Sequence, residues 1–284
     1  MLEVDCYNCH SKNSVFYARE NGFTLVKCGS CGLLYVTPRP GDAETLESSK
    51  SGVWHGDEIV LATPKYDKTQ IWRHLRMLKD IYGGELCTRK RKWLDIGCGY
   101  GELLVALRRF SGGMVAAKGL EPNSRKQECA RRMGLDVTFF DLENHTESYD
   151  TISMLNVFSH LPDPPAFIAQ ASKCLTLEGE ILLETGDTAA LSAEQHYKPF
   201  GLPDHLSFAS EEIVRSILSK CGFKTVCVKK YSAFPLQRRI ERLFKEFAKL
   251  FIPSRRSDFW RLYGQHRLSG RFITDMYIRA RRSQ

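Results

Sequence analysis

Three sets of residues in this chain have the types and spacing that chemistry needs. The first is Cys6-x-x-Cys9 followed, eighteen residues on, by Cys28-x-x-Cys31. Thiols three positions apart reach one ion together. Two such pairs fill a tetrahedron, so the spacing points to structural zinc rather than to a catalytic zinc with an open position. Gly29 and Gly32 suit the tight knuckle turn, and His10 is the neighbouring alternative ligand. A hairpin this short buries too little apolar area to fold alone, whereas structural zinc supplies roughly 10–16 kcal/mol of apparent binding energy. The second set is Lys92–Gly101, K-W-L-D-I-G-C-G-Y-G. A short apolar run carries Asp95 and breaks into Gly97, Gly99 and Gly101, and helical spacing follows. That is strand, tight turn and helix, with open N–H groups at the helix start. A dinucleotide fold wants G-x-G-x-x-G, but this turn reads G-x-G-x-G and puts Glu102 at the third-glycine place. Asp95 repels a pyrophosphate and attracts an amino group, so a cationic, amino-acid-bearing ligand suits this turn better than NAD. The third set is His160 and His205, on loops where a histidine of ordinary pKa ~6.5 can take a proton from an acceptor. His196 and Tyr197 are weaker candidates for the same work.

With its acid and alternating glycines, the Asp95–Gly101 turn resembles the first motif of the class I S-adenosylmethionine (SAM) methyltransferases. The resemblance implies an α/β fold: a doubly wound, seven-stranded Rossmann-like sheet whose last strand is antiparallel. It implies SAM as cofactor, held by Asp95, Gly97, Cys98, Gly99 and Gly101. Glu121, followed by Pro122, lies about twenty residues past the turn, where an acid accepts hydrogen bonds from ribose hydroxyls. By the resemblance, Asp141 takes the adenine amino group, Leu142 contacts the ring, and Tyr66 reaches the cofactor from a covering segment. Asn156 opens a loop at the carboxyl end of a central strand, where open α/β sheets bind ligands. That loop, N-V-F-S-H-L-P-D-P, is similar to the family's Glu-His-Leu-x-Asp-Pro, with Ser159 in place of the acid. Some quinone-pathway relatives use that acid in a metal-assisted step, and the serine argues against such a step here. Gly201–Ser210 resembles the loop whose histidine, here His205, faces the acceptor. Cys31–Pro40, C-G-L-L-Y-V-T-P-R-P, resembles one subgroup, the bacterial zinc-ribbon methyltransferases acting on small molecules and sugars.

The elements that must position these groups follow the chain. A zinc ribbon occupies residues 1–40, with strands at Val15–Ala18 and Phe23–Lys27, and residues 41–64 read as a polar linker or lid. A SAM-dependent methyltransferase domain takes residues 65–284. Its helices are expected at Tyr66–Tyr82, from Leu103, at Ser124–Met133, at Pro164–Leu175 and from an N-cap at Ser210 to Ser219. Its strands are expected at Trp93–Ile96, Val115–Glu121, Asp136–Phe140, Tyr149–Leu155, Glu180–Glu184, Lys224–Lys229 and Phe272–Ala280.

Ten cysteines without a secretory leader fit thiols and metal in a reducing cytoplasm. No run of eighteen apolar residues marks a membrane span. The net charge of +8 is uneven: residues 235–284 hold thirteen Lys/Arg against four Asp/Glu. Within a basic helical insertion at 235–268, Ile240, Leu243, Phe244, Phe247, Leu250 and Phe251 form one stripe. That stripe suits a core or partner surface first, then an anionic membrane surface with a membrane-peripheral location, or a nucleic acid. The sequence thus predicts methyl transfer to an oxygen, or a carbon, of a small molecule, sugar or glycan precursor. The alternative is an RNA or protein methyltransferase that binds substrate through the ribbon and basic segment.

Overall fold

The computed structural model describes residues 1–55, 58–61, 66–196, 198–232 and 274–283. The main sheet begins with β6 (Arg91–Ile96), whose Trp93, Leu94 and Ile96 are buried on both faces, as a central parallel strand requires. Around it lie β7 (Val115–Glu121), β8 (Val137–Phe139), β9 (Tyr149–Leu155), β10 (Leu175–Gly186), β12 (Phe223–Ser232) and β13 (Thr274–Arg282). The order is β12-β13-β10-β9-β6-β7-β8, with β13 antiparallel to both neighbours and the remaining pairs parallel. This is the seven-stranded sheet that the glycine turn implied.

Helices α3 (Glu102–Ser111), α4 (Ser124–Arg132), α5 (Pro164–Ser172) and α6 (Glu211–Lys220) connect the strands. Their starts are written in side chains. Asn123, Asp163 and Ser210 each accept a backbone N–H three residues on, and Pro164 opens α5. Asp163 of the loop motif is therefore a helix cap. Helix α2 (Lys68–Tyr82), capped by Asp67, buries Ile71, Met77, Leu78, Ile81 and Tyr82. At the other end of the strands, Glu180 and Arg279 are buried and bonded at 3.0 Å. The Arg279 guanidinium also reaches Glu85 and lies 4.2 Å over the Tyr82 ring. Removing one partner of such a buried pair costs about 3–5 kcal/mol, so this network fastens β13 to the segment after α2.

The N-terminal ribbon is β1 (Ser14–Glu20), β2 (Phe23–Cys28) and β3 (Leu34–Val36). A fourth strand joins it from far along the chain: β11 (Ser207–Phe208) pairs antiparallel with β3. Ribbon residues Leu25, Leu33 and Leu34 share one apolar core with Leu94, Ile152 and Ile217 of the main sheet and its helices. Residues 41–64 differ from the expected loop: α1 spans Asp42–Ser51, and a hairpin pairs β4 (Gly52–His55) with β5 (Glu58–Leu61). The α1 sequence D-A-E-T-L-E-S-S-K-S has no apolar period, so nothing in its pattern announced a helix. The basic stripe at 240–251 lies outside the described residues.

Candidate active site

The register of the parallel strands gathers the glycine turn and the strand ends. Asp95 lies opposite Gly119 on β7 and Ser153 on β9, and Leu155 lies opposite Glu184 on β10. The turn residues Gly97, Gly99 and Gly101 have φ of +71°, +57° and +85°. At Gly97 a Cβ would also stand 2.6 Å from Val157 Cγ2. Gly101 serves packing instead, since a Cβ there would collide with Leu135 under α3. Asn156, which is not glycine, takes φ +56° at the end of β9, a local strain of the kind found at binding sites.

These elements enclose a cavity of about 350 Å³. Five of the residues singled out in the sequence, Asp95, Gly97, Cys98, Gly99 and Asn156, line it. So do Glu102, Glu184 and Asp275, together with Arg73 and His74 from α2. Arg73 bridges Glu184 at 2.6 Å and Asp275 at 2.7 Å. Asp95 is buried and accepts the Ser153 hydroxyl at 2.6 Å, yet burial pushes its pKa up to about 7. Burial also raises Glu102, Glu184 and Asp275, although Arg73 pulls the last two back. Four carboxyls in difficulty around one guanidinium make a cavity suited to a ligand with net positive charge.

The other expected cofactor residues stand outside this cavity lining. Glu121 is buried at the end of β7, accepting Gly99 N–H at 2.8 Å and Asn123 N–H at 3.0 Å. Burial raises its pKa. It fixes the turn, and Pro122 follows it into α4. Asp141 is exposed past β8 with both oxygens held by Asn144, while Leu142 is in the core. Tyr66 packs half-buried against the core under α2 and α3. Arg73 and His74 were missed by the sequence reading. Their position two turns into a helix with a clear apolar face gave no sign that the polar face looks into a cavity.

His160 and His205 meet, with ring centroids 4.7 Å apart. His160 Nδ1 lies 2.8 Å from the carbonyl of Asp204, and His205 Nδ1 lies 2.8 Å from that of Phe200. A carbonyl only accepts, so each Nδ1 carries the proton and each Nε2 is left with a lone pair. Burial, with His205 beside it, holds His160 below the ordinary histidine pKa. Ser159 replaces the family acid, but Asp204 brings a carboxylate to 3.5 Å from His160 Nδ1. Phe208 lies edge-on to His205 and to His196. Burial drops His196 to about 4, and its Nε2 has no hydrogen-bond partner among the described residues. Tyr197 lies outside the described residues.

The four ribbon sulfurs lie within 4.8 Å of one another, with Cys6–Cys31 and Cys9–Cys28 at 3.5 Å. A tetrahedral zinc thiolate site wants S···S of about 3.8 Å from its 2.3 Å bonds, so the donor set and spacing fit a metal. Burial works against ionising Cys28, but the N–H groups of Cys31 and Ser30 bring it down to about 7. Burial pushes Cys6 up. His10 is exposed and outside the cluster.

A family model described as a methyltransferase domain matches residues 71–228, more than half of the chain. The chain belongs to this methyltransferase family. The match bears out the resemblance to class I SAM-dependent methyltransferases, and it spans β6 through most of β12. A ubiquinone biosynthesis O-methyltransferase from Vibrio atlanticus is 30% identical to this methyltransferase over 137 residues, 42% of this chain and 56% of the relative. The chain spans about half the length of the curated relatives it matches. Two solved structures share the fold. Coclaurine N-methyltransferase, bound to N-methylheliamine and SAH, has TM-score 0.53 at 15% identity, covering 84% of this chain and 81% of that one. The [4+2]-cyclase SpnF has TM-score 0.55 at 15% identity, covering 82% and 88%. Among the described residues of the methyltransferase, no helix is long and apolar enough to cross a membrane.

Proposed function

We propose that this methyltransferase moves the methyl group of SAM to an oxygen of a small molecule, sugar or glycan precursor. The acidic cavity beside the glycine turn carries the reading. SAM brings an ammonium, a sulfonium and one carboxylate, a net positive charge that matches Asp95, Glu102, Glu184 and Asp275 around Arg73. NAD brings a pyrophosphate, which this cavity would repel. In this reading Asp95 takes the ammonium, Arg73 the carboxylate, and Glu121 the ribose beside Pro122. Asp141 and Leu142 flank the adenine, and Tyr66 closes over the cofactor.

SAM supplies an electrophilic methyl group, so the protein's part is placement and proton transfer. His160 Nε2 takes the proton from the acceptor hydroxyl as its oxygen bonds the methyl carbon and the carbon–sulfur bond breaks. Its lowered pKa keeps it neutral and ready at pH 7. His205 orients the acceptor through its own free Nε2. The oxygen acceptor is supported by the ubiquinone O-methyltransferase relatives. Carbon transfer and macromolecular acceptors rest on less, because the basic segment that favoured nucleic acid or an anionic membrane falls largely outside the described residues.

We assign structural zinc to Cys6, Cys9, Cys28 and Cys31, a ribbon to residues 1–40, a linker or lid to 41–64, and the methyltransferase domain to 65–284. Thiols of this kind fit a cytoplasmic setting. The test of the central reading is calorimetry: S-adenosylhomocysteine (SAH) binds and NADH does not. Binding of NADH alone would refute it.

A further inference from the structure

The hairpin tip of the ribbon reaches into the loop that carries His205. One carboxylate does most of the holding. Glu20 Oε2 accepts Phe200 N–H at 2.7 Å, and its Oε1 accepts Gly201 N–H at 2.7 Å and Leu202 N–H at 3.1 Å. Next to it, Asn21 Nδ2 donates to the Leu202 carbonyl at 2.7 Å. Three consecutive N–H groups on one carboxylate form a charge-assisted clamp of the strong kind.

Two of the clamped residues, Phe200 and Gly201, hold His205, and the same loop holds His160. The Phe200 carbonyl accepts His205 Nδ1–H, and the Gly201 carbonyl accepts the His205 backbone N–H at 2.9 Å. Two residues on, the Asp204 carbonyl accepts His160 Nδ1–H. A second tie runs from the ribbon sheet. Val36 N–H donates to the Leu206 carbonyl at 2.9 Å, and Leu206 N–H donates to the Ser159 carbonyl at 2.7 Å. Tyr7 Oη donates to Ser207 Oγ at 2.9 Å. Nothing in this chain of bonds passes through the SAM cavity.

We infer that the ribbon is the positioning device of the acceptor end, with Glu20 the residue that sets the His205 and His160 rings through residues 200–204. This rests on the reading of those histidines as acceptor-side groups. A ribbon without its metal would release the acceptor loop and leave cofactor binding in place, so metal loading becomes a condition for a competent acceptor site.

The test is imidazole nitrogen NMR and amide hydrogen exchange on the zinc-loaded protein, residues 1–284, with SAH affinity as control. Glu20→Ala is expected to remove the Nδ1–H signature of His205 and weaken that of His160. It should speed exchange at Phe200, Gly201 and Leu202 by about tenfold or more, with SAH affinity within about twofold of the parent. Glu20→Gln keeps one acceptor oxygen and should fall between. Unchanged ring signals and unchanged exchange in a folded Glu20→Ala would overturn the inference. Should Glu20→Ala fail to fold, Glu20→Gln decides: a moved His205 signal with SAH retained supports the inference, and an unmoved one overturns it. The methyl-transfer reading fails separately, if the parent protein does not bind SAH.

Discussion

In the proposed reading, the cofactor and acceptor ends of the site are built in opposite ways. The cofactor end is built around one stretch of sequence, where Asp95 and the glycines up to Gly101 lie on a single strand, turn and helix, with Arg73, Glu184 and Asp275 added from α2, β10 and β13. The acceptor end is assembled from three distant pieces: the ribbon tip at Glu20, the loop at Ser159–His160, and the segment from Phe200 to Phe208. The first is held by backbone geometry that only glycine adopts easily. The second is held by hydrogen bonds between segments up to 200 residues apart. The difference predicts that the donor side is fixed by the fold, while the acceptor side can be perturbed with cofactor binding retained.

That contrast can be broken, and the largest perturbation is the ribbon metal. Cys28→Ser should abolish tight zinc binding, measured as metal per chain. It should remove stabilisation on the order of 10 kcal/mol from the ribbon. Amides 200–208 should then exchange quickly while SAH still binds. A folded protein that keeps acceptor-loop protection without metal would dissolve the contrast.

Asp95→Ala attacks the other end. Losing the partner of a buried ammonium costs about 2–5 kcal/mol, so SAH should bind at least about thirtyfold more weakly by calorimetry, with His160 and His205 unmoved. Arg73→Ala should act in the same direction by about tenfold, since it removes the guanidinium proposed to take the ligand carboxylate and leaves Glu184 and Asp275 without that partner.

A pH series sharpens the electrostatic part. Asp95 has a folded pKa raised from 3.8 to about 7. Its contribution to stability is therefore fully present below pH ~4 and lost as pH rises through about 7. A ligand ammonium favours the ionised form, so SAH binding should release a proton near pH 6.5. Its stabilising shift in melting temperature should grow from pH 6 to 8. The smallest effect belongs to Ser153→Ala. It removes the hydroxyl that lowers the Asp95 pKa and should move that pH midpoint upward, at a cost of about 1 kcal/mol in stability. A midpoint that moves downward would show that Ser153 does not support the charged form.

The sequence made the cofactor end legible because its signals are local. An acid, three alternating glycines and a buried apolar strand carry their meaning within ten residues. Caps at Asn123, Asp163 and Ser210 are local too, and they mark helix starts within a residue. The two histidines were found as separate loop residues, but their contact depends on the β11 pairing, and a two-residue strand has no pattern to detect. Glu20 reads as the polar end of a hairpin until its three partners are known. Arg73 is one of several cations on α2, distinguished only by Glu184 and Asp275 arriving from β10 and β13. Helix α1 was missed because its residues lack an apolar face, and the propensity of such a segment is weak without packing.

The most direct test of the central claim is calorimetric titration of the full chain with SAM, SAH and NADH at pH 7.5. An acidic cavity beside a glycine turn predicts that SAM and SAH bind at one site per chain, with SAM the tighter for its sulfonium charge, and that NADH gives no heat. At 100 times its Kd the ligand would add roughly 2.7 kcal/mol of stability, visible as a rise in melting temperature. Binding of NADH, or a folded protein indifferent to both sulfur compounds, would contradict the account.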